Sequence, residues 1–171
     1  MGNDDVEPAE LAAQTPAPAE IELRINGKAH QLSYERAFVL ACSLMEKGSF
    51  ADASKIFLRL EEFADRGPRA FILHAFCECA SRQFDDSQLL LEMAFPGSDD
   101  DTATILQDAF VSCHVGIRQD GVKAIAELVD KQPQLPSLCL LLGILLQKGQ
   151  NHKLAKRCWT LAIQRDRPDG A

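Results

Sequence analysis

The chain has 171 residues, 46% of them hydrophobic and 25% charged, enough for one soluble domain with a buried core. Of its net charge of −7, five charges fall in the first 20 residues (Asp4, Asp5, Glu7, Glu10 and Glu20, with no base), so the remainder is close to neutral and nucleic acid is not expected as a partner. The longest apolar run, Leu138 to Leu146, is too short for a membrane span, and the acidic start has no signal-peptide pattern; a cytoplasmic protein is expected.

Residues 1–20 are acidic and Pro/Ala-rich, with Val6 and Leu11 as their only large apolar residues, and are expected to be disordered. In residues 21–33, Ile21, Leu23 and Ile25 alternate with polar neighbours and Asn26-Gly27 suits a two-residue turn. Either a hairpin or an extended lead-in to the first helix satisfies that pattern. Ser33 is a plausible N-cap for a helix over about 34–47, stopped near Gly48, with a partner over about 50–64. Gly67-Pro68 opens a second pair, over about 69–81 and 84–95, with Pro68 expected at the first helical position. After Pro96-Gly97 comes the acidic loop Ser98–Asp101, where an Asp can cap a helix starting near Thr102. The third pair ends with a helix over about 119–131, stopped before Pro133. The last pair runs from Pro136 to Pro168, broken at Gly149-Gln150-Asn151.

These pairs share a period. Counting back 34 residues at a time from Gly143 gives Ala109, Ala75 and Ala41; from Ala155 it gives Gly121, Ser87 and Ala53; from Ala162 it gives Leu128, Ala94 and Leu60. From Trp159 the same step gives Ile125, Leu91 and Phe57. Small residues at helix-contact positions, recurring at a fixed step, indicate an all-α chain of stacked αα-hairpins. Leu40-Ala41, Gly48, Phe50, Ala53 and Phe57 in the first unit, and Leu142-Gly143, Ala155, Trp159 and Ala162 in the last, resemble the tetratricopeptide repeat. The resemblance spans residues 34–168, with His74, Asp108 and Arg118 standing where apolar residues are expected. It implies about four units in a right-handed superhelix, the first helix of each lining a concave groove.

The resemblance further implies that three positions of each first helix face that groove. They are Phe38, Cys42 and Met45; Ile72, Phe76 and Cys79; Leu106, Phe110 and Cys113; and Leu140, Ile144 and Gln147. All but Gln147 are apolar, and an exposed stripe of this kind needs a cover. A partner helix or peptide, residues 21–32 of the same chain, or a second copy could supply it. The Lys/Asn lining with which some relatives clamp acidic C-termini is missing. The layout is similar to the small helical chaperones of bacterial type III secretion, which implies a non-catalytic, chaperone-like protein-binding function; a cytosolic assembly scaffold is the competing reading.

Six cysteines (42, 77, 79, 113, 139 and 158) lie in expected helices and read as reduced, buried thiols. A thiol or zinc site is a remote alternative. Residues one or two apart on a helix diverge by about 100° or 200°, so neither Cys77/Cys79 nor Cys113/His114 converges on a ligand. Paired-cysteine zinc spacing, phosphate loops and metalloprotease His pairs are missing, so no enzyme activity, metal or cofactor is expected. Two further expectations concern the last helix. Lys153, Lys156 and Arg157 should solvate its outer face, and Arg165 and Arg167 should sit near its C-terminal dipole.

Overall fold

The computed structural model describes residues 20–97 and 101–166; the expectations for residues 1–19, Ser98–Asp100 and Arg167 lie outside them. A two-stranded antiparallel hairpin, β1 (Glu20–Ile25) and β2 (Lys28–Ser33), comes first. Glu20, assigned above to the acidic tail, thus belongs to a strand. Asn26 and Gly27 have φ of +52° and +78°, the left-handed pair that a tight hairpin turn needs. The hairpin is not left alone in water: Ile21 and Leu23 are buried, and β1 packs on α1 (Tyr34–Glu46) and α2 (Phe50–Leu60). Of the two readings of residues 21–33, the hairpin holds.

Six more helices follow: α3 (Arg69–Ala80), α4 (Phe84–Ala94), α5 (Thr102–His114), α6 (Arg118–Lys131), α7 (Pro136–Lys148) and α8 (His152–Arg165). Each odd-numbered helix packs on its successor as an antiparallel pair, and α2, α4 and α6 also pack on the helix that follows. Ser33 caps α1 by accepting the amide of Arg36. Pro68 occupies the cap of α3 rather than its first turn. Asp101 stands at the N-cap of α5, but its side chain makes no capping bond. The helix α2 stops at Leu60, and a short 3-10 turn (Ala64–Arg66) leads on to α3.

Three of the four odd-numbered helices end alike. The amides of Gly48 and Ser49 return to the carbonyls of Met45 and Leu44. Arg82 and Gln83 do the same to Cys79 and Glu78, and Gln150 and Asn151 to Gln147 and Leu146. This double return is the Schellman ending, which requires a left-handed residue. Gly48 adopts it freely, whereas Arg82 and Gln150 adopt it with φ of +63° and +62°. The end of α5 departs from this pattern, its last amides returning to Val111.

The positions 34 residues apart are interior. Ala41, Ala75, Ala109 and Gly143 are all buried, and so are Ala53, Ser87, Gly121 and Ala155. Their smallness is a steric demand. A Cβ added at Gly143 would lie 2.5 Å from Trp159 Cδ1, and one at Gly121 2.5 Å from the Ala109 carbonyl oxygen. His74, polar at an otherwise apolar position, is buried with its Nδ1 2.5 Å from Glu61 Oε1 and its Nε2 3.1 Å from Glu78 Oε1. Two carboxylates therefore satisfy both ring nitrogens.

The helix α3 is central, packing on α2, α4, α5 and α7, while α7 reaches back to α1. Arg165 does not serve its own helix. It donates to the Val129 carbonyl and to Cys139 Sγ, tying α8 to the C-terminal turn of α6. Lys153, Lys156 and Arg157 are exposed, as a solvated outer face requires. Among the described residues, no helix is long and apolar enough to cross a membrane.

Candidate functional site: a cleft between α1 and α7

The eleven apolar residues expected along an open groove are mostly interior. Phe38, Met45, Ile72, Phe76, Cys79, Leu106, Phe110 and Ile144 are buried; Cys42, Cys113 and Leu140 are half-buried. Phe76 and Phe110, expected to face the open groove, are 1% and 0% exposed. Their rings meet edge to face at 5.2 Å, and Phe50 and His114 close the cluster at 6.1 and 4.6 Å from Phe76. The physical reason is closure. Because α7 packs against both α3 and α1, much of the stripe is covered by the chain's own helices.

Closure is incomplete along one seam. Between α1 and the pair α7–α8 lies a cleft of about 570 Å³, and four stripe residues line it: Phe38, Cys42, Leu140 and Ile144. Trp159 and Ala162 of α8 continue its wall. Val39 and Ile163, 66% and 61% exposed, are the apolar members of its rim. No hairpin residue lines it, so residues 21–33 do not fill it. Helix periodicity accounts for the apolar wall. Phe38 and Cys42 stand one turn apart on α1, as do Leu140 and Ile144 on α7, and each pair therefore presents one face.

Polar groups are few and mostly acidic. Glu35, Glu46 and Asp166 carry the negative charge, and Arg69 is the one base among the lining residues. Arg69 also holds the seam together. Its Nε donates to the Tyr34 hydroxyl at 3.2 Å, and its terminal nitrogens pair with Glu35 at 3.2 Å and Asp166 at 3.4 Å. Its guanidinium lies 4.7 Å from the Tyr34 ring centroid and 4.8 Å from that of Phe38. Burial works against that charge, but the Tyr34 hydroxyl and the two carboxylates outweigh it and hold its pKa above the ordinary value. Burial likewise pushes the Tyr34 phenol upward. One side chain thus joins α1, α3 and α8.

Sequence reasoning missed Arg69, Val39, Ile163 and Asp166. The only signal for Arg69 was a base placed directly after the helix-opening Gly67-Pro68. Its pairing with Asp166, 97 residues on, has no local signature.

The cysteines offer little chemistry. All six are free thiols, and burial is the first cause of a raised pKa at each, reaching about 12 at Cys42 and about 11 at Cys79 and Cys113. Such thiols are protonated and poorly nucleophilic at neutral pH. Among the described residues, no three His, Cys, Asp or Glu side chains gather as a metal-binding group. What the cleft can do is bury apolar surface beside a short row of carboxylates. No protein-family model, curated protein or solved structure matches this chain.

Proposed function

We propose that this chain is a non-catalytic protein-binding module of tetratricopeptide-like helical repeats, and that its working surface is the α1–α7 cleft. The observation that carries the reading is the cleft itself. An apolar stripe that is covered over much of its length stays open at this seam, with two strongly exposed apolar residues on its rim. Exposed apolar surface that is contiguous with a concavity is what a partner's apolar face fits. The occupant is one amphipathic helix of another protein, its apolar edge against Phe38, Leu140, Ile144 and Trp159 and a basic flank toward Glu46 and Asp166. Glu46 has no ion pair among the described residues, which leaves it available to that flank. Support for the repeat reading comes from four antiparallel helix pairs and small buried residues every 34 positions.

A chaperone-like role in the cytoplasm, of the type III secretion kind, is the form of this function that the layout resembles. Self-association through the same cleft is the competing use, and it alone would make the sedimentation coefficient of the purified protein concentration-dependent. The test of the main reading uses Val39→Glu and Ile163→Glu, rim changes that leave the core untouched. Wild type should retain a partner from the native cell extract and both variants should lose it, with far-UV circular dichroism unchanged. The isolated partner should then alter the emission of Trp159, the only tryptophan in the chain. Equal retention by all three proteins would refute the assignment and move the site to another surface, first of all the wider groove between α6 and α8.

A further inference from the structure

The groove between α6 and α8 is opposite in charge to the α1–α7 cleft. The helices α6 and α8 each pack on α7 but scarcely on each other, so a groove of about 800 Å³ stays open between them. Leu142, Leu145 and Leu146 of α7 form its floor, with Val122 of α6 and Leu154 and Leu161 of α8 as apolar walls. Leu154 and Leu161 stand two turns apart on one face of α8 and are 41% and 40% exposed. Three bases line the groove, Arg118, Lys123 and Arg157, against the one carboxylate of Asp130. All three are exposed, and none has an ion pair among the described residues. The α1–α7 cleft reverses the balance, with three carboxylates and one base. An acidic segment is therefore drawn to the α6–α8 groove and repelled by the cleft.

The chain carries such a segment within reach. Residues 1–19 hold Asp4, Asp5, Glu7 and Glu10 and no base, with Val6 and Leu11 among them. They join the fold at Glu20, which pairs with Ser33, the N-cap of α1. Glu35, in the first turn of α1, shares Arg69 with Asp166, the C-cap of α8. The junction therefore lies near the C-terminal end of α8. Arg157 is about 14 Å back along that helix at 1.5 Å per residue. The chain between Asp4 and Glu20 can span up to about 50 Å, enough to bring the carboxylates to Arg157 and Lys123.

We infer that residues 4–11 of this chain dock in the α6–α8 groove, their carboxylates toward Lys123 and Arg157 and Val6 and Leu11 against Leu154 and Leu161. Exposed ion pairs contribute little singly, so charge orients the segment while burial of apolar side chains holds it. Covalent connection helps as well: a short linker keeps the segment at an effective concentration on the order of mM, so modest contacts suffice. This inference is independent of the α1–α7 cleft, since no described residue lines both surfaces.

The experiment is NMR of the full chain at low ionic strength, read by the steady-state proton–nitrogen NOE of the amides of residues 4–11, which reports order on the ps–ns timescale. In wild type that NOE should be positive and unchanged on dilution. Lys123→Glu with Arg157→Glu should make it fall, and so should Asp5→Lys with Glu7→Lys; the latter pair should also move the methyl resonances of Leu154 and Leu161. Joining both reversals in one chain should restore the NOE, an outcome that loss of fold cannot produce. The same reversal at two exposed bases of α2, Lys55→Glu with Arg59→Glu, should leave it at the wild-type value. Wild-type amides without a positive NOE would overturn the inference, as would a NOE insensitive to the groove reversal or equally sensitive to the α2 reversal. A NOE that falls on dilution would also overturn it, since the occupant would then be the segment of a second copy.

Discussion

Gly143→Ala is the sharpest probe of how the last helix pair is packed. On an exposed helix, replacing Gly with Ala stabilises by about 1 kcal/mol, because Ala loses less backbone entropy. Here the added Cβ would fall 2.5 Å from Trp159 Cδ1 and nearer still to Nε1, well inside van der Waals contact. The indole is rigid and must move as a whole, so overpacking of about 1–3 kcal/mol sets the scale. Trp159 is half-buried and has some freedom to shift outward, which holds the cost to the middle of that range. Net of the propensity gain, Gly143→Ala should destabilise by about 1 kcal/mol, or about 2–4 °C in Tm for a chain of this size. Urea unfolding of Gly143→Ala, Trp159→Leu and the double variant completes the test. The cycle should show coupling of about 1–2 kcal/mol, with the added methyl tolerated once the indole is gone. Stabilisation by Gly143→Ala in the wild-type background would refute the packing derived for α7 on α8.

Three further outcomes are expected. His74→Leu should destabilise by about 3 kcal/mol in chemical unfolding, because Glu61 and Glu78 would be left poorly solvated and unpartnered. Arg82→Gly and Gln150→Gly should each stabilise by about 0.5–1 kcal/mol, since both side chains occupy left-handed backbone at a helix end; a loss of Tm in either variant would contradict the Schellman ending there. His114 binds its proton less readily folded than unfolded, so its contribution is fully present above pH 6.5 and lost progressively down to about pH 4. Discounted for the solvent-screened part of the ring, that loss is about 2 kcal/mol, and His114→Gln should flatten the difference in stability between those two pH values.

Much of the fold was legible because its grammar is local. The 34-residue recurrence of Ala41, Ala75, Ala109 and Gly143 marks helix contacts that admit no bulk, and Asn26-Gly27 marks a turn that few other dipeptides make. Closure of the stripe was not legible. Phe76 and Phe110 are equally apolar whether they face a ligand or each other, and only the disposition of α7 against α1 and α3 decides between them. That disposition depends on contacts such as Arg69 with Asp166, which no periodicity contains. Gly121 was visible as an irregularity of the third unit, but its cause, the close approach of the Ala109 carbonyl, belongs to three dimensions. Helix ends at Arg82 and Gln150 escaped notice as left-handed positions because neither is glycine.

The central claim is that the inner stripe is core at its centre and accessible at the α1–α7 seam. Thermal unfolding of Phe110→Glu beside Ile163→Glu tests it directly. A carboxylate forced into the fully buried position of Phe110, against the Phe76 ring, is cut off from water, so Phe110→Glu should lose its cooperative transition or melt far below wild type, while Ile163→Glu should melt at the wild-type temperature. A Phe110→Glu protein with the wild-type Tm would show that the stripe is an open groove and would contradict the account.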